Sequence, residues 1–292
     1  MSNILVTGAT GNIGFEVIRH LMKIKGDDTI IAGVRNIGQA KAKFEVFPSL
    51  RFTHFDFEQQ DTFDKALENI DRIFLLRPPH ISDIKTYYKP LIDKIASKGI
   101  REVCFLSVQG AERSKAIPHH KIEQLLIESK LDYIFLRPSY FMQNLTTVLR
   151  RDIQNKGEIV LPAGNAVFNW VDVENIGEVA ALLLTNFEDY SGQAIELTGN
   201  ENESFQTVAA LISQFGGKEV RFKNVNPFRF YQIKSRAGME SGMILVMILL
   251  HFLPRFQKPP RISGFYKKIT GKNPTNLETF IKRESSLFCG NN

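Results

Sequence analysis

Residues 3–17 read NILVTGATGNIGFEV, with Gly8, Gly11 and Gly14 set between an apolar run that reads as a strand and a periodic run that reads as a helix. Glycine at such a junction permits a tight turn and lets the backbone approach a pyrophosphate. The helix N-terminus then offers free N–H groups and the positive end of its dipole. The spacing is Gly-x-x-Gly-x-x-Gly, not Gly-x-Gly-x-x-Gly. The expected cradle is Gly8, Thr10, Gly11, Asn12, Ile13 and Gly14; the alternative is a glycine-rich turn without a ligand.

The chain beyond the loop repeats its strand-then-helix rhythm. Strands are expected at Ile4–Thr7, Thr29–Val34, Arg51–Phe55, Arg72–Leu76, Glu102–Leu106 and Tyr133–Leu136, and helices at Gly14–Ile24, Thr62–Asn69, Ile84–Lys98 and His120–Ser129. That alternation predicts an α/β chain with a doubly wound parallel sheet, a Rossmann fold. Beyond Arg137-Pro138 the rhythm loosens. A helix is expected over Phe141–Asp152, then a helix ending at Leu184 and capped by Asp172 or Glu174, a strand at Ala194–Thr198 and a helix at Ser204–Phe215. The division read from this is a dinucleotide-binding core over 1–155 and a mixed C-terminal part over 156–292 that completes the sheet and covers a substrate cleft.

The remaining cofactor contacts are read from strand ends. Where an NAD enzyme places an acid against the ribose 2′-hydroxyl, this chain has Arg35 in IAGVRN. A guanidinium suits a 2′-phosphate, so NADP(H) is favoured over NAD(H). Asp56 and Phe57 end the third strand on the adenine side, and Leu76, Arg77 and Pro78 end the fourth, where proline stops the pairing.

Composition narrows the class. With 43% hydrophobic and 23% charged residues, the 292-residue chain is an ordinary globular one. No signal pattern opens it, and its two cysteines, Cys104 and Cys289, suggest neither a disulfide nor a metal site, so a reducing cytoplasmic setting is expected. The apolar run Met243–Pro254 is too short to span a bilayer and reads as a buried helix or a pocket lid, a membrane-surface helix being the alternative. From Lys218 onward there are 14 Lys/Arg and 4 Asp/Glu. These basic residues are scattered, without zinc-finger or helix-turn-helix spacing, so nucleic acid is not expected as a partner.

The glycine loop, AGVRN, FDF, LSVQGAE, PHHKIEQLLIESKLDYIFLRPSYFMQNL and VDVENIGEVAA together resemble the NmrA-like family of atypical short-chain dehydrogenases/reductases, over nearly the whole chain. Members of that family include NADPH-dependent quinone and carbonyl reductases, and regulators that bind the dinucleotide without turnover. The resemblance implies that Ser107 and Val108 follow the fifth strand at the cofactor. It also implies that Pro138, Ser139, Tyr140 and Phe141 wall the nicotinamide, with Gln109, Phe141 and Asn144 toward the substrate.

Relatives in the wider superfamily use Tyr-x-x-x-Lys, in which the lysine lowers the tyrosine pKa and the tyrosine passes a proton. Matching the motif to His119-x-x-x-Glu123 puts His119 at the lysine and Lys115 at the tyrosine, so the usual donor is missing. His119 is the preferred substitute, with Lys121 and Tyr140 as further catalytic candidates. Flat conjugated acceptors demand least of such a site. The expectation is hydride transfer from NADPH to a small hydrophobic quinone or conjugated carbonyl by a monomer or homodimer, the alternative being an NADP(H) sensor.

Overall fold

Ile4, Leu5 and Val6 have no exposed surface, so the first strand is apolar on both faces, as an inner strand of a parallel sheet must be. The structure is a computed structural model that describes residues 2–24 and 26–289. Its chain divides into two units, one of which takes the residues up to Pro138 together with Val173–Leu197 and Phe265–Gly271. The other holds Ser139–Asp172, Thr198–Gly264 and the described residues from Lys272. The first unit thus includes two segments that the sequence pattern assigns to the C-terminal part.

In the first unit β1 (Asn3–Val6), β2 (Thr29–Val34), β3 (Arg51–His54), β4 (Arg72–Leu75), β5 (Glu102–Leu106) and β6 (Asp132–Pro138) lie parallel. With β10 (Gln193–Leu197) they form one sheet in the order β10-β6-β5-β4-β1-β2-β3. The chain reverses its direction of travel between β1 and β4, and ligands of such sheets sit at that switch point. The two strands are joined there by a side chain as well as by backbone. Thr7 Oγ1 donates to Phe74 O at 3.0 Å and accepts from Leu76 N at 3.1 Å.

The helices of this unit are α1 (Asn12–Leu21), α2 (Ile37–Lys43), α3 (Phe63–Ala66), α4 (Ile84–Ser97), α5 (Pro118–Glu128), α7 (Val173–Thr185), α8 (Phe187–Tyr190) and α12 (Phe265–Thr270). Helix α1 buries Gly14, Val17, Ile18 and Leu21 and packs closely on α7, where a Cβ on Gly177 would stand 2.5 Å from Glu16 Cβ. Asp83 caps α4 by accepting from Lys85 N and Thr86 N. Pro90 inside α4 frees the Thr86 carbonyl, and Gln60 Nε2 donates to it at 3.2 Å.

The second unit has β7 (Tyr140–Phe141), β8 (Glu158–Leu161), β9 (Val167–Val171), β11 (Asn202–Ser204) and β12 (Arg221–Asn224) in two small sheets, β11-β9-β7 and β12-β8. With them come α6 (Arg150–Lys156), α9 (Phe205–Phe215), α10 (Pro227–Arg236), α11 (Ser241–Phe252) and α13 (Leu277–Arg283). Trp170, Phe205, Phe230, Phe280 and Phe288 form its buried aromatic core.

Two expectations fail here. The helix expected over Phe141–Asp152 is instead a strand, a 3-10 turn at Met142–Leu145 and a short helix starting at Arg150. Met142, Leu145, Leu149 and Ile153 are all buried, so a helical spacing of core residues imitated a continuous helix, while Tyr140–Phe141 pair with Trp170–Val171. The run over Met243–Pro254 is helical, but it is not buried: only Ile244, Met247 and His251 turn inward. Asp172 stands at the position before α7, as one of the two cap candidates must, and its carboxylate also accepts from Gln143 and Arg283.

Candidate functional site

The loop after β1 turns on Gly8, whose φ of +57° favours glycine. A Cβ on Gly8 would also lie 2.8 Å from both Leu76 methyls. On Gly14 it would lie 2.4 Å from Gly8 O and 2.8 Å from Ala9 Cα, so the fold itself requires that glycine. Gly11 differs. Among the described residues its near neighbour would be Gly8 O alone, at 3.2 Å, a clash of a few tenths of an ångström.

Gly11 is also the N-cap of α1, with no side-chain cap and no acidic residue in the first turn. The N–H groups of Asn12, Ile13 and Gly14 therefore point out of the helix without intrahelical acceptors. Thr10, Gly11 and Asn12 are exposed. Lys43, absent from the residues expected at the site, donates from Nζ to Thr10 O at 2.8 Å and lies 5.2 Å from the Phe15 ring centroid. Its only sequence signal is a basic residue at the end of the helix after β2.

Arg35 follows β2 and is exposed, with no carboxylate partner among the described residues. Asp56 after β3 is half-buried; its Oδ1 accepts from Glu58 N at 3.0 Å. Phe57 is 6% exposed and packs on Phe55 and Tyr88, so its ring belongs to the core. Leu76 covers Gly8, and its carbonyl accepts from Tyr88 Oη at 2.8 Å.

Arg77 folds back onto the segment C-terminal to it, donating from Nη1 to the carbonyls of Pro78, Pro79 and Ile81. Its Nε is buried without a partner among the described residues. Burial lowers its pKa from the usual arginine value.

At the end of β5 the polar groups are already engaged. Ser107, 1% exposed, donates to Glu123 Oε1 at 2.6 Å, and Arg137 binds both oxygens of Glu123 from Nε and Nη2 at 2.9 and 2.7 Å. Arg137 Nη1 reaches Glu112 at 3.0 Å. Thus Ser107 supports a buried ion pair. Val108 and Gln109 are half-buried, and Gln109 Nε2 donates to Glu196 at 3.2 Å.

His119 and His120 open α5 and part ways. His120 Nδ1 lies 3.1 Å from Ala111 O. His119 stands near Phe105, 6.2 Å between ring centroids, and burial together with the Arg77 charge pushes its imidazole down to about 3. It is therefore neutral at physiological pH. A neutral ring still donates one N–H but is a poor acid. Lys121 is exposed on the same helix.

In the second unit, Ser139 Oγ donates to Asn169 Oδ1 at 2.7 Å, and Phe141 and Asn144 are half-buried. Tyr140 packs against Phe168, Trp170 and Phe205. Its hydroxyl is 2.9 Å from His251 Nε2, and His251 Nδ1 is 2.6 Å from Met247 O. The carbonyl fixes the proton on Nδ1, so Nε2 accepts and Tyr140 donates. Burial raises the Tyr140 pKa and pushes His251 down to about 4. This hydroxyl is committed to its own unit, and His251 carries no sequence signal beyond interrupting an apolar run.

The structure thus gathers the six loop residues with Leu76 at the switch point and puts His119 within the field of the Arg77 charge. It gives Ser107 to Glu123, turns Phe57 inward and leaves Lys121 exposed.

A model of the NmrA-like family matches residues 1–257. The chain is 30% identical to the prestalk A differentiation protein A of Dictyostelium discoideum over 289 residues, 99% of this chain and 94% of that protein. It is 27% identical to the NAD(P)H azoreductase of Xenophilus azovorans over 289 residues, 98% and 99% of the two chains. The crystal structure of Citrobacter sp. triphenylmethane reductase complexed with NADP(H) shares the fold, with a TM-score of 0.81 at 24% identity over 96% of this chain and 99% of that one.

Proposed function

The chain belongs to the NmrA-like family, and from that premise we propose that it is an NADPH-dependent oxidoreductase acting on a small hydrophobic quinone or conjugated carbonyl. One observation carries the dinucleotide. Gly11 is a bare N-cap whose missing side chain the fold barely uses, at a helix start with no carboxylate in its first turn. An anion lying across it uses both features. When bound, the reduced nicotinamide supplies a hydride.

The residues that would hold the cofactor follow from the same geometry. Gly8, Thr10, Gly11, Asn12, Ile13 and Gly14 take the pyrophosphate on backbone N–H groups. Arg35, exposed and without a carboxylate partner among the described residues, takes a 2′-phosphate, which is the basis for preferring NADP(H), and Asp56 keeps one carboxylate oxygen for the adenine amine. His119 is a hydrogen-bond donor to an acceptor oxygen, not an acid. A conjugated acceptor, whose ring spreads the incoming charge and whose proton can come from water, fits such a group better than a simple ketone does. The same reading puts the protein in the cytoplasm as a monomer or homodimer.

The unusual polar set also favours a second reading, a dinucleotide-binding regulator. His119 is held neutral and Tyr140 is tied to His251, so neither of these two candidates stands as a ready acid. Stopped-flow absorbance of NADPH with a panel of quinones and conjugated aldehydes separates the two. Saturable, protein-dependent oxidation is expected; tight binding by calorimetry with no oxidation would establish the regulator. Gly11→Val is expected to abolish NADPH binding in a folded protein, and retained affinity would reduce the loop to a turn.

A further inference from the structure

Helix α11 has no Lys, Arg, Asp or Glu along its length and buries only Ile244, Met247 and His251. Ile248 and Phe252 are half-buried, and a broad stripe faces out: Leu245 is 53% exposed, Val246 57%, Leu249 57% and Leu250 47%. Leu253 and Phe256, 46% and 74% exposed, continue the stripe past the end of the helix. A helix apolar all round is normally covered by a core or by lipid, and contiguous exposed apolar surface marks an interaction face.

Charge says which kind of partner covers it. Residues 218–264 hold nine Lys and Arg against two Glu. Four of these cations, Arg229, Arg236, Arg255 and Lys258, are exposed and have no carboxylate partner among the described residues. Arg229 and Arg236 lie on α10, the helix before α11; Arg255 and Lys258 follow α11 directly. The Arg255 guanidinium lies 5.1 Å from the Phe252 ring centroid and borders a cavity of about 410 Å³ with Asn165 and Gln257. A second copy of the chain would bring the same positive rim against itself. No described helix is long and apolar enough to cross a membrane, and α11 has 12 residues.

From this juxtaposition we infer that the α11 face docks on an anionic lipid bilayer. The leucine stripe enters the boundary between headgroups and acyl chains, and the cations meet lipid phosphates, with Arg255 and its cavity taking a headgroup. Arginine serves this place well because its stem lies along apolar surface while its head stays at the polar level. The inference stands apart from the proposed redox function, since neither the leucine stripe nor these four cations are in the dinucleotide site.

The test is flotation of the full chain with vesicles of pure phosphatidylcholine and of phosphatidylcholine mixed with phosphatidylserine. Binding is expected on the mixed vesicles, about tenfold or more weaker on the neutral ones, and falling as salt is added. Leu249→Glu, at an exposed position, is expected to lower partitioning about tenfold or more, and Arg255→Glu several-fold. NADPH calorimetry confirms that each variant is folded, and the lipid and salt dependence of the unaltered chain decides the matter without them. Absence of binding, or equal salt-independent binding to both vesicles, overturns the proposal. So does a dimer in light scattering that dissociates with Leu249→Glu while vesicles float alone, which would give the face to a second copy.

Discussion

The loops after β1 and β5 leave the same edge of one parallel sheet, yet they treat their polar groups in opposite ways. The first leaves N–H groups of Asn12, Ile13 and Gly14 unanswered by the helix and places no acid in its first turn. The second commits most of its polar side chains. Ser107 is bonded to Glu123, Glu123 to Arg137, and His120 to Ala111 O. A binding surface is built by withholding partners; a scaffold is built by supplying them. The loop after β1 accordingly keeps its donors available while Ser107, Glu123 and Arg137 brace one another, although both loops carry motifs that the sequence alone would credit with function.

The contrast breaks most sharply at the glycines. Gly14→Ala forces a Cβ to within 2.4 Å of Gly8 O, and backbone cannot move aside as a side chain can. A loss of about 3 kcal/mol or more is expected in chemical denaturation, against about 1 kcal/mol or less for Gly11→Ala. Equal losses would make the whole loop structural.

Next comes the support at β5. Glu123→Ala leaves the Arg137 guanidinium, with its side chain 12% exposed, facing an emptied site, and a loss of about 3 kcal/mol is expected. An unchanged melting curve would mean that Ser107 and Glu123 are free to serve a ligand. At Arg35 the effect concerns selectivity: Arg35→Asp is expected to weaken NADPH about tenfold or more relative to NADH in calorimetry. Parallel losses would remove the 2′-phosphate assignment.

The smallest effect is that of pH. His119 and His251 stay neutral in the fold, down to about 3 and about 4, while an unfolded imidazole takes its proton near 6.5. Below about 6.5 the unfolded chain binds protons that the native chain refuses. Their contribution to stability is therefore complete above that pH and declines as pH falls toward 4. Thermal melts at neutral and mildly acidic pH should show a drop of a few degrees, blunted in His119→Gln. A turnover profile that bends near 6.5 would contradict the neutral His119.

What the chain declares in advance is what its backbone needs. The Gly8, Gly11 and Gly14 turn, the doubly wound sheet and helix α9 follow from glycine geometry, apolar runs and the helical spacing of apolar residues. Side-chain alliances across long stretches of sequence stay hidden. Nothing near Ser107 marks Glu123 as its partner, and nothing in SYFMQN points to His251, which lies 111 residues beyond Tyr140. The apolar run at α11 misleads for a related reason: hydropathy reports that surface should be covered, not by what.

The Thr7 hydroxyl, held between Phe74 O and Leu76 N, sits where β1 and β4 begin to diverge. It adds a rung to the ladder made from a side chain instead of a peptide. The fork between the two strands is therefore clasped at its root, and the width of the crevice is set before any ligand arrives. Valine has the same shape but no clasp. With it, the backbone bond from residue 7 N to Phe74 O would hold the fork alone, and Leu76 N would lose its acceptor.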